Sequence, residues 1–484
     1  MTITDPKFLL KRLLQESSES NWLEFKQNNF DFEMIGRTIS ACANAAILAD
    51  RNWAFMIWGI EDTTKKFVGS SKSLGSLKKG NENILAWLSR LIEPRLNIEL
   101  SDFDQNGKHF SILRVEPTYD RPVRFCGQEY IRIGESVKPL REFPNHERSI
   151  WLATGRRKFE DSIALSHQKT EEIFEKLNTE IYYTRKDEAV PRRQDEIIRK
   201  FIHLQFIRDN MENGYDITNL GALLFAKDLL IFPSIANKSV RVIKYSGINK
   251  ASSTHEKEFT KGYAIDFSDI LKLIMDSLPQ KEIYVDGVRK TEPVYSKTAI
   301  REILANALVH QDFTISGAGP MIEIYQNRIE IINPGSSLIE VDRIIDERKS
   351  RNEKFSTSMR DVGLCELRGG GIDKSIIEIE EMGLPTPEWY PSNNSMRVVI
   401  FGPKNFSNLS KGEKVWSCFC HCVVKWLCQD YMSNTSLRKR FSLPDEDYQS
   451  VSVVISDARK QSRIVPAEKE QGKRNAKYVP YWAR

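Results

Sequence analysis

The chain lacks any apolar run long enough to cross a bilayer: the longest, around Trp53 to Ile60, is far short of the roughly 20 residues a membrane helix needs. Low-complexity tracts and fixed-period repeats are missing too, so the bulk of the chain should fold. No G-x-x-x-x-G-K-[ST] phosphate loop occurs, which disfavours a helicase. A surplus of one charge is slight: a net +5 over 484 residues permits a polyanionic partner without requiring one. Cysteines are few and odd in number, seven, and four crowd into WSCFCHCVVKWLC at 416–428. That spacing suits no disulfide framework and predicts reduced thiols. Residues 1–15 carry Asp5 and no apolar core before a small-residue cleavage site. A cytoplasmic protein without a membrane anchor is expected.

What is present divides into parts. At 484 residues there is room for about three domains. In the first 150 residues, NWLEFK at 21–26 alternates, predicting a strand with Leu23 and Phe25 on the buried face and Glu24 and Lys26 on the polar one. Ile35, Ile39, Cys42 and Ala43 fall at helical spacing, and WAFMIWGI at 53–60 reads as a buried strand running into Glu61 and Asp62. Further alternation at 109–117 and 129–135 predicts a mixed α and β domain.

Three motifs, Glu19-Ser-Asn-Trp-Leu-Glu24-Phe25-Lys26, Ser40-Ala-Cys-Ala-Asn44 and Gly59-Ile-Glu-Asp62, make this part resemble the Schlafen-type AlbA-like (AlbA_2) domain over most of residues 15–140. The resemblance implies a cutting site of Glu19, Glu24 and Asp62. Converging carboxylates suit Mg²⁺ or Mn²⁺, which activates water and neutralises a phosphodiester, and Lys26 beside them could hold a phosphate. The competing reading makes these acids a solvated strand edge on a domain that only binds nucleic acid. The chain departs from the family in having Asn44-Ala-Ala-Ile-Leu-Ala-Asp-Arg-Asn52 where a Gly-Gly pair usually stands, so a different turn is expected there.

Residues 151 to about 261 show helical periodicity, as in IIRKFIHLQFI at 197–207, then a strand VRVIKYSG at 240–247, and no cluster of reactive side chains. Beyond them, Ile300, Ile303, Leu304, Ala307 and Leu308 make one helix face, while Glu302 and Asn306 stack one turn apart on another. A hairpin follows, leading into Asn333-Pro334-Gly335, and then Gly369-Gly370-Gly371-Ile372 opens a helical stretch. The ordered trio REILANALVHQDF, RIEIINPGSSL and ELRGGGIDKS resembles the GHKL-type (Bergerat) ATP-binding fold over about 290–400, in the branch found behind Schlafen-like domains. That resemblance implies Glu302 as water-activating base, Asn306 as Mg²⁺ ligand, Asn333 as adenine contact beside Gly335, and Gly369, Gly370 and Gly371 as the phosphate-approaching loop. Asn333 stands where the broader fold has Asp, and Glu353 follows Arg351-Asn352 where this branch often has Pro, so binding is expected over efficient hydrolysis.

After residue 412, helix-like stretches followed by two short strands suggest a winged helix, with Arg438-Lys439-Arg440, Arg459-Lys460, Lys473-Arg474 and Lys477 available to phosphates. The competing reading is a solvated face on a dimer or partner module. Cys418, Cys420, His421 and Cys422 are spaced too tightly for zinc pairs and predict a buried helix face.

The expectation is thus an α+β multidomain chain: a Schlafen/AlbA-like domain at 1–150, a helical connector at 151–280, a GHKL-like α/β sandwich at 281–403 and a winged helix at 412–484. The resemblances imply an ATP-gated, metal-dependent endonuclease, RNA such as transfer RNA favoured and DNA possible, acting as a homo-oligomer in defence against phage. The alternative is a non-catalytic, nucleotide-sensing transcription regulator that binds DNA.

Overall fold

The computed structural model describes residues 3–16, 20–118, 121–153, 158–285, 288–365, 371–468, 472 and 476–483. Helices and strands are mixed throughout, with several separate sheets, as expected of an α+β multidomain chain. They fall into two compact units, residues 1–170 with 207–217, and 171–206 with 218–484. The expected connector at 151–280 is therefore divided between the two.

In the first unit a four-stranded sheet runs in the order Leu23–Lys26, Ala54–Trp58, Lys108–Val115, Ile98–Gln105. The first pair is parallel, which demands a crossover. The helix Phe32–Leu48 supplies it, and its N-cap Asp31 accepts from the Met34 amide at 2.7 Å. All of Ala54–Trp58 is buried, as its unbroken apolar run predicts.

Where the family has its Gly-Gly pair, the helix simply continues to Leu48, and the chain turns at Asp50 with φ +49°. The Ser40-to-Asn44 motif has a structural task. Asn44 Nδ2 donates to the carbonyls of Val123 and Tyr130, both at 2.8 Å, and its Oδ1 accepts from the Val123 amide at 2.7 Å. Ser40 Oγ donates to the Val123 carbonyl at 2.7 Å. Asn44→Ala would strip the Val123 amide and the Tyr130 carbonyl of this partner, while Ser40 still serves the Val123 carbonyl. A loss of about 1–3 kcal/mol is expected, read as a lowered thermal midpoint. An unchanged midpoint would show that water replaces the amide.

The segment 207–217 returns to this first unit from the middle of the chain. Its Tyr215–Thr218 strand lies between Ile163–Gln168 and Ile207–Asp209. Ionic contacts fasten it: Arg12 Nη1 donates to Asp209 Oδ1 at 2.8 Å, Arg114 pairs with Glu212, and Arg208 stands 3.7 Å from Asp161.

The second unit is built on a six-stranded sheet, in order Ser253–Phe259, Val240–Tyr245, Met321–Ile324, Arg328–Pro334, Ser395–Phe401, Glu388–Pro391. Its first two strands precede residue 281, so the sheet draws on the segment read as a connector. The helix Lys297–His310 lies on this sheet beside Gly371–Glu381 and Tyr263–Ser277.

Toward the C-terminus stand helices Lys411–Leu427, Asn434–Arg440 and Tyr448–Lys460, then the antiparallel pair Ile464–Pro466 and Tyr478–Pro480. Ser410 and Glu413 form a capping box that starts the first of these helices. Cys418, Cys420 and Cys422 are buried. His421 is held by Glu380 Oε2 at 2.7 Å and Ser436 Oγ at 3.1 Å. The basic triplet is corrected in part. Arg438 and Arg440 turn inward, to Asp445 and Glu380 respectively, and only Lys439 is exposed. A guanidinium already paired inside the protein is not offered to a phosphate. Lys473 and Arg474 lie outside the described residues. Among the described residues, no helix is long and apolar enough to cross a membrane.

Candidate functional site

A cavity of about 330 Å³ opens in the second unit, lined by Glu302, Asn306, Asn333, Gly335 and Gly371 among others. Residues far apart in sequence meet there because the Lys297–His310 helix crosses the sheet end at Arg328–Pro334 and abuts the start of Gly371–Glu381. Gly369 and Gly370 lie outside the described residues.

Each wall follows from local chemistry. Ser296 caps the Lys297–His310 helix, accepting from Ala299 N at 2.9 Å. At its far end, Asn352 Nδ2 donates to the carbonyls of Val309 and Gln311, both at 2.8 Å. Asn352 also precedes the helix Glu353–Asp361. Glu353 therefore occupies the first helical position, where proline is favoured for its fixed φ and a carboxylate for its charge, so the departure from the family leaves the turn intact.

Glu302 is only 4% exposed and pairs with the Arg301 guanidinium. Asn306, one turn on, lines the cavity with a side-chain amide that has no hydrogen-bond partner among the described residues. Asn333, buried, spends Nδ2 on the Pro334 carbonyl at 3.3 Å.

Gly335 has φ +107°, and a Cβ there would lie 2.9 Å from the Asp312 amide nitrogen. Only glycine fits both constraints. Gly335→Ala is expected to cost about 1–3 kcal/mol, measured by chemical denaturation. A variant as stable as the wild type would show that the Asp312 backbone can give way.

Gly371 begins its helix against Glu302, whose carboxylate a Cβ would strike. Backbone amides at such a helix start, unobstructed by a side chain, can receive an anion.

Lining residues that the sequence did not single out include Lys349, Arg360, His310 and Cys365. Lys349 and Arg360 reach the cavity, and neither has a carboxylate partner among the described residues. His310 also lines it, with a pKa lowered by burial and by Arg351, which favours the neutral imidazole. Cys365 lines it too, its thiol pushed up to about 12 by burial and then by Glu302, so it stays protonated near neutrality. Lys349 falls within the basic run Arg348-Lys349-Ser350-Arg351, a signal the sequence did carry.

The N-terminal acids are arranged differently from the sequence expectation. Glu19 lies outside the described residues. Glu24, expected on a polar face, is 4% exposed, because the strand is covered on that face as well. Its carboxylate pairs with Lys26 and stands 2.6 Å from Arg132 Nη1. Lys26 is thereby engaged with an acid. Asp62 is exposed and pairs with Lys65 at 3.2 Å. Among the described residues, no three His, Cys, Asp or Glu side chains gather to hold a metal ion. As placed, Glu24 and Asp62 are each paired with a cation of the protein.

Residues 19–141 match the family model "Schlafen, AlbA_2", and residues 317–400 match "Putative ATP-dependent DNA helicase recG C-terminal". No curated protein matches the chain. Among solved structures, the DIP2311 protein from Corynebacterium diphtheriae is similar at 12% identity, with 98% of this chain and 96% of that chain covered and a TM-score of 0.44. The Glu302 and Asn306 helix lies upstream of the second matched segment, yet the two share the cavity. Residues 19–141 are thus similar to the Schlafen AlbA_2 domain, and residues 317–400 to a domain of the recG C-terminal type.

Proposed function

We propose that this protein binds ATP with Mg²⁺ in the cavity of the second unit and uses that binding to control its hold on nucleic acid. The observation that carries the reading is the meeting in one cavity of Asn306, Asn333, Gly335 and Gly371 with the acid-free cations Lys349 and Arg360. The residues fit the group. Asn306 offers an amide oxygen to Mg²⁺, the Gly371 helix start and the two cations suit a polyphosphate, and Asn333 faces the base. Glu302, bound to Arg301, supports retention of the nucleotide over rapid hydrolysis. Nucleic acid as partner rests on the Schlafen AlbA_2 match.

A nuclease built on Glu19, Glu24 and Asp62, cutting RNA of the transfer RNA kind in phage defence, is the narrower form of this reading. The clamping of Glu24 by Lys26 and Arg132 favours the other form, nucleic-acid binding without cutting, as in a nucleotide-sensing regulator. Purified protein incubated with transfer RNA, single-stranded RNA and duplex DNA in Mg²⁺ or Mn²⁺, with and without ATP, separates the two. The expected outcome is nucleic acid retained but intact, with affinity altered by ATP. Cleavage by the wild type that disappears in Glu24→Gln would overturn the non-cutting form.

A further inference from the structure

Arg301 stands next to the candidate base and joins it to the chain just before Cys365. Its Nη1 meets the Glu302 carboxylate, and its Nη2 donates to the carbonyls of Gly363 at 3.1 Å and Leu364 at 3.4 Å. Those carbonyls precede Cys365, a cavity-lining residue on the chain that leads toward the glycines. From the other side the Gly371 helix start closes on the same carboxylate. A planar guanidinium with five donors can hold both groups; an ammonium, a point charge on a flexible stem, cannot fix the two together.

We propose that Arg301 is a positioning residue that withholds Glu302 from water and ties it to the chain at Gly363 and Leu364, so that bound nucleotide is kept instead of turned over. This rests on the ATP reading of the cavity. In hydrolysis Glu302 would take a proton from the attacking water. The water oxygen bonds to the terminal phosphorus, that phosphorus releases its bond to the bridging oxygen, and the nucleoside diphosphate leaves with the electron pair. A carboxylate already engaged by a guanidinium and facing a helix start is poorly placed for that proton. A positioned general base contributes on the order of 100-fold or more to such steps, so releasing it has a large margin to act on.

The test compares wild type, Arg301→Met and Arg301→Lys. Arg301 is about one-third exposed, so both variants should fold, and thermal midpoints check that they do. Amide hydrogen exchange without nucleotide should show faster exchange across 361–365 in both variants, since neither keeps the fork. Phosphate release from ATP and Mg²⁺ should rise by about tenfold or more in Arg301→Met. Arg301→Lys, which keeps a charge near Glu302, should rise less, and Arg301→Met with Glu302→Gln should fall back to the wild-type rate. Unchanged exchange with unchanged release would overturn the proposal, as would release that falls in Arg301→Met. Failure of the wild type to bind ATP would refute the nucleotide reading itself, and the exchange experiment would still show whether Arg301 holds Gly363 and Leu364 in place.

Discussion

Arg114→Met should lower the unfolding free energy by about 3–5 kcal/mol, because it strands two buried carboxylates. Arg114 is 1% exposed, and its Nε lies 3.1 Å from Glu99 Oε2 while Nη1 pairs with Glu212. The ring of Trp53 lies 4.3 Å from its guanidinium carbon. Glu212 in turn accepts from the Thr4 amide and hydroxyl, both at 2.7 Å. One arginine thus joins strand 108–115, strand 98–105, the N-terminal segment and the returning 207–217 segment. Burial alone would raise the Glu212 pKa, but the Thr4 bonds and Arg114 outweigh it and leave it below the ordinary carboxylate value. A carboxylate depressed in the folded state contributes stability above its unfolded pKa and loses it as pH falls through the folded one. Wild-type stability should therefore decline on acidification below the ordinary glutamate range, and Arg114→Met should weaken that decline. Denaturant melts at neutral and acid pH read both effects. A variant within about 1 kcal/mol of wild type would mean that the two glutamates take up protons or water at little cost.

For the nucleotide site the largest effect is expected at Asn306. Asn306→Leu keeps helix propensity and size while removing the unpartnered amide from the cavity wall. Loss of a polar contact to a charged ligand is worth about 1.5–3 kcal/mol, or roughly 10- to 100-fold in affinity. Titration calorimetry with ATP and Mg²⁺ would show it, alongside a thermal midpoint close to the wild type's. Equal affinities would remove Asn306 from the site.

The local elements of the fold were legible wherever periodicity was strong. The Ala54–Trp58 strand, the Phe32–Leu48 and Lys297–His310 helices and the 321–334 hairpin all lie where their apolar spacing puts them. Long-range pairing was not legible. The parallel pairing of Val240–Tyr245 with Met321–Ile324 joins segments some 80 residues apart, and nothing in either strand's composition names its partner. The return of 207–217 to the first unit is fastened by contacts such as Arg12 to Asp209 and Arg114 to Glu212 that carry no periodic signal.

At the cavity, residue types at fixed spacing on one helix pointed to Glu302 and Asn306, since a turn of helix aligns them. Lys349, Arg360, His310 and Cys365 come together only through tertiary folding. Glu24 shows the limit of alternation. Period-two patterning separates two faces of a strand but does not tell whether the second face meets water, and here that face carries a buried ion pair with Arg132. Asn44, part of a motif that carries the family resemblance, pins the backbone at Val123 and Tyr130.

The measurement that bears most directly on this account is equilibrium binding of ATP, with Mg²⁺, to the purified full chain. Saturable binding of one nucleotide per chain is expected, weakened by Asn306→Leu and lost on reversing the charges of Lys349 and Arg360 together. Absence of binding at millimolar ATP, or binding indifferent to all three positions, would contradict it.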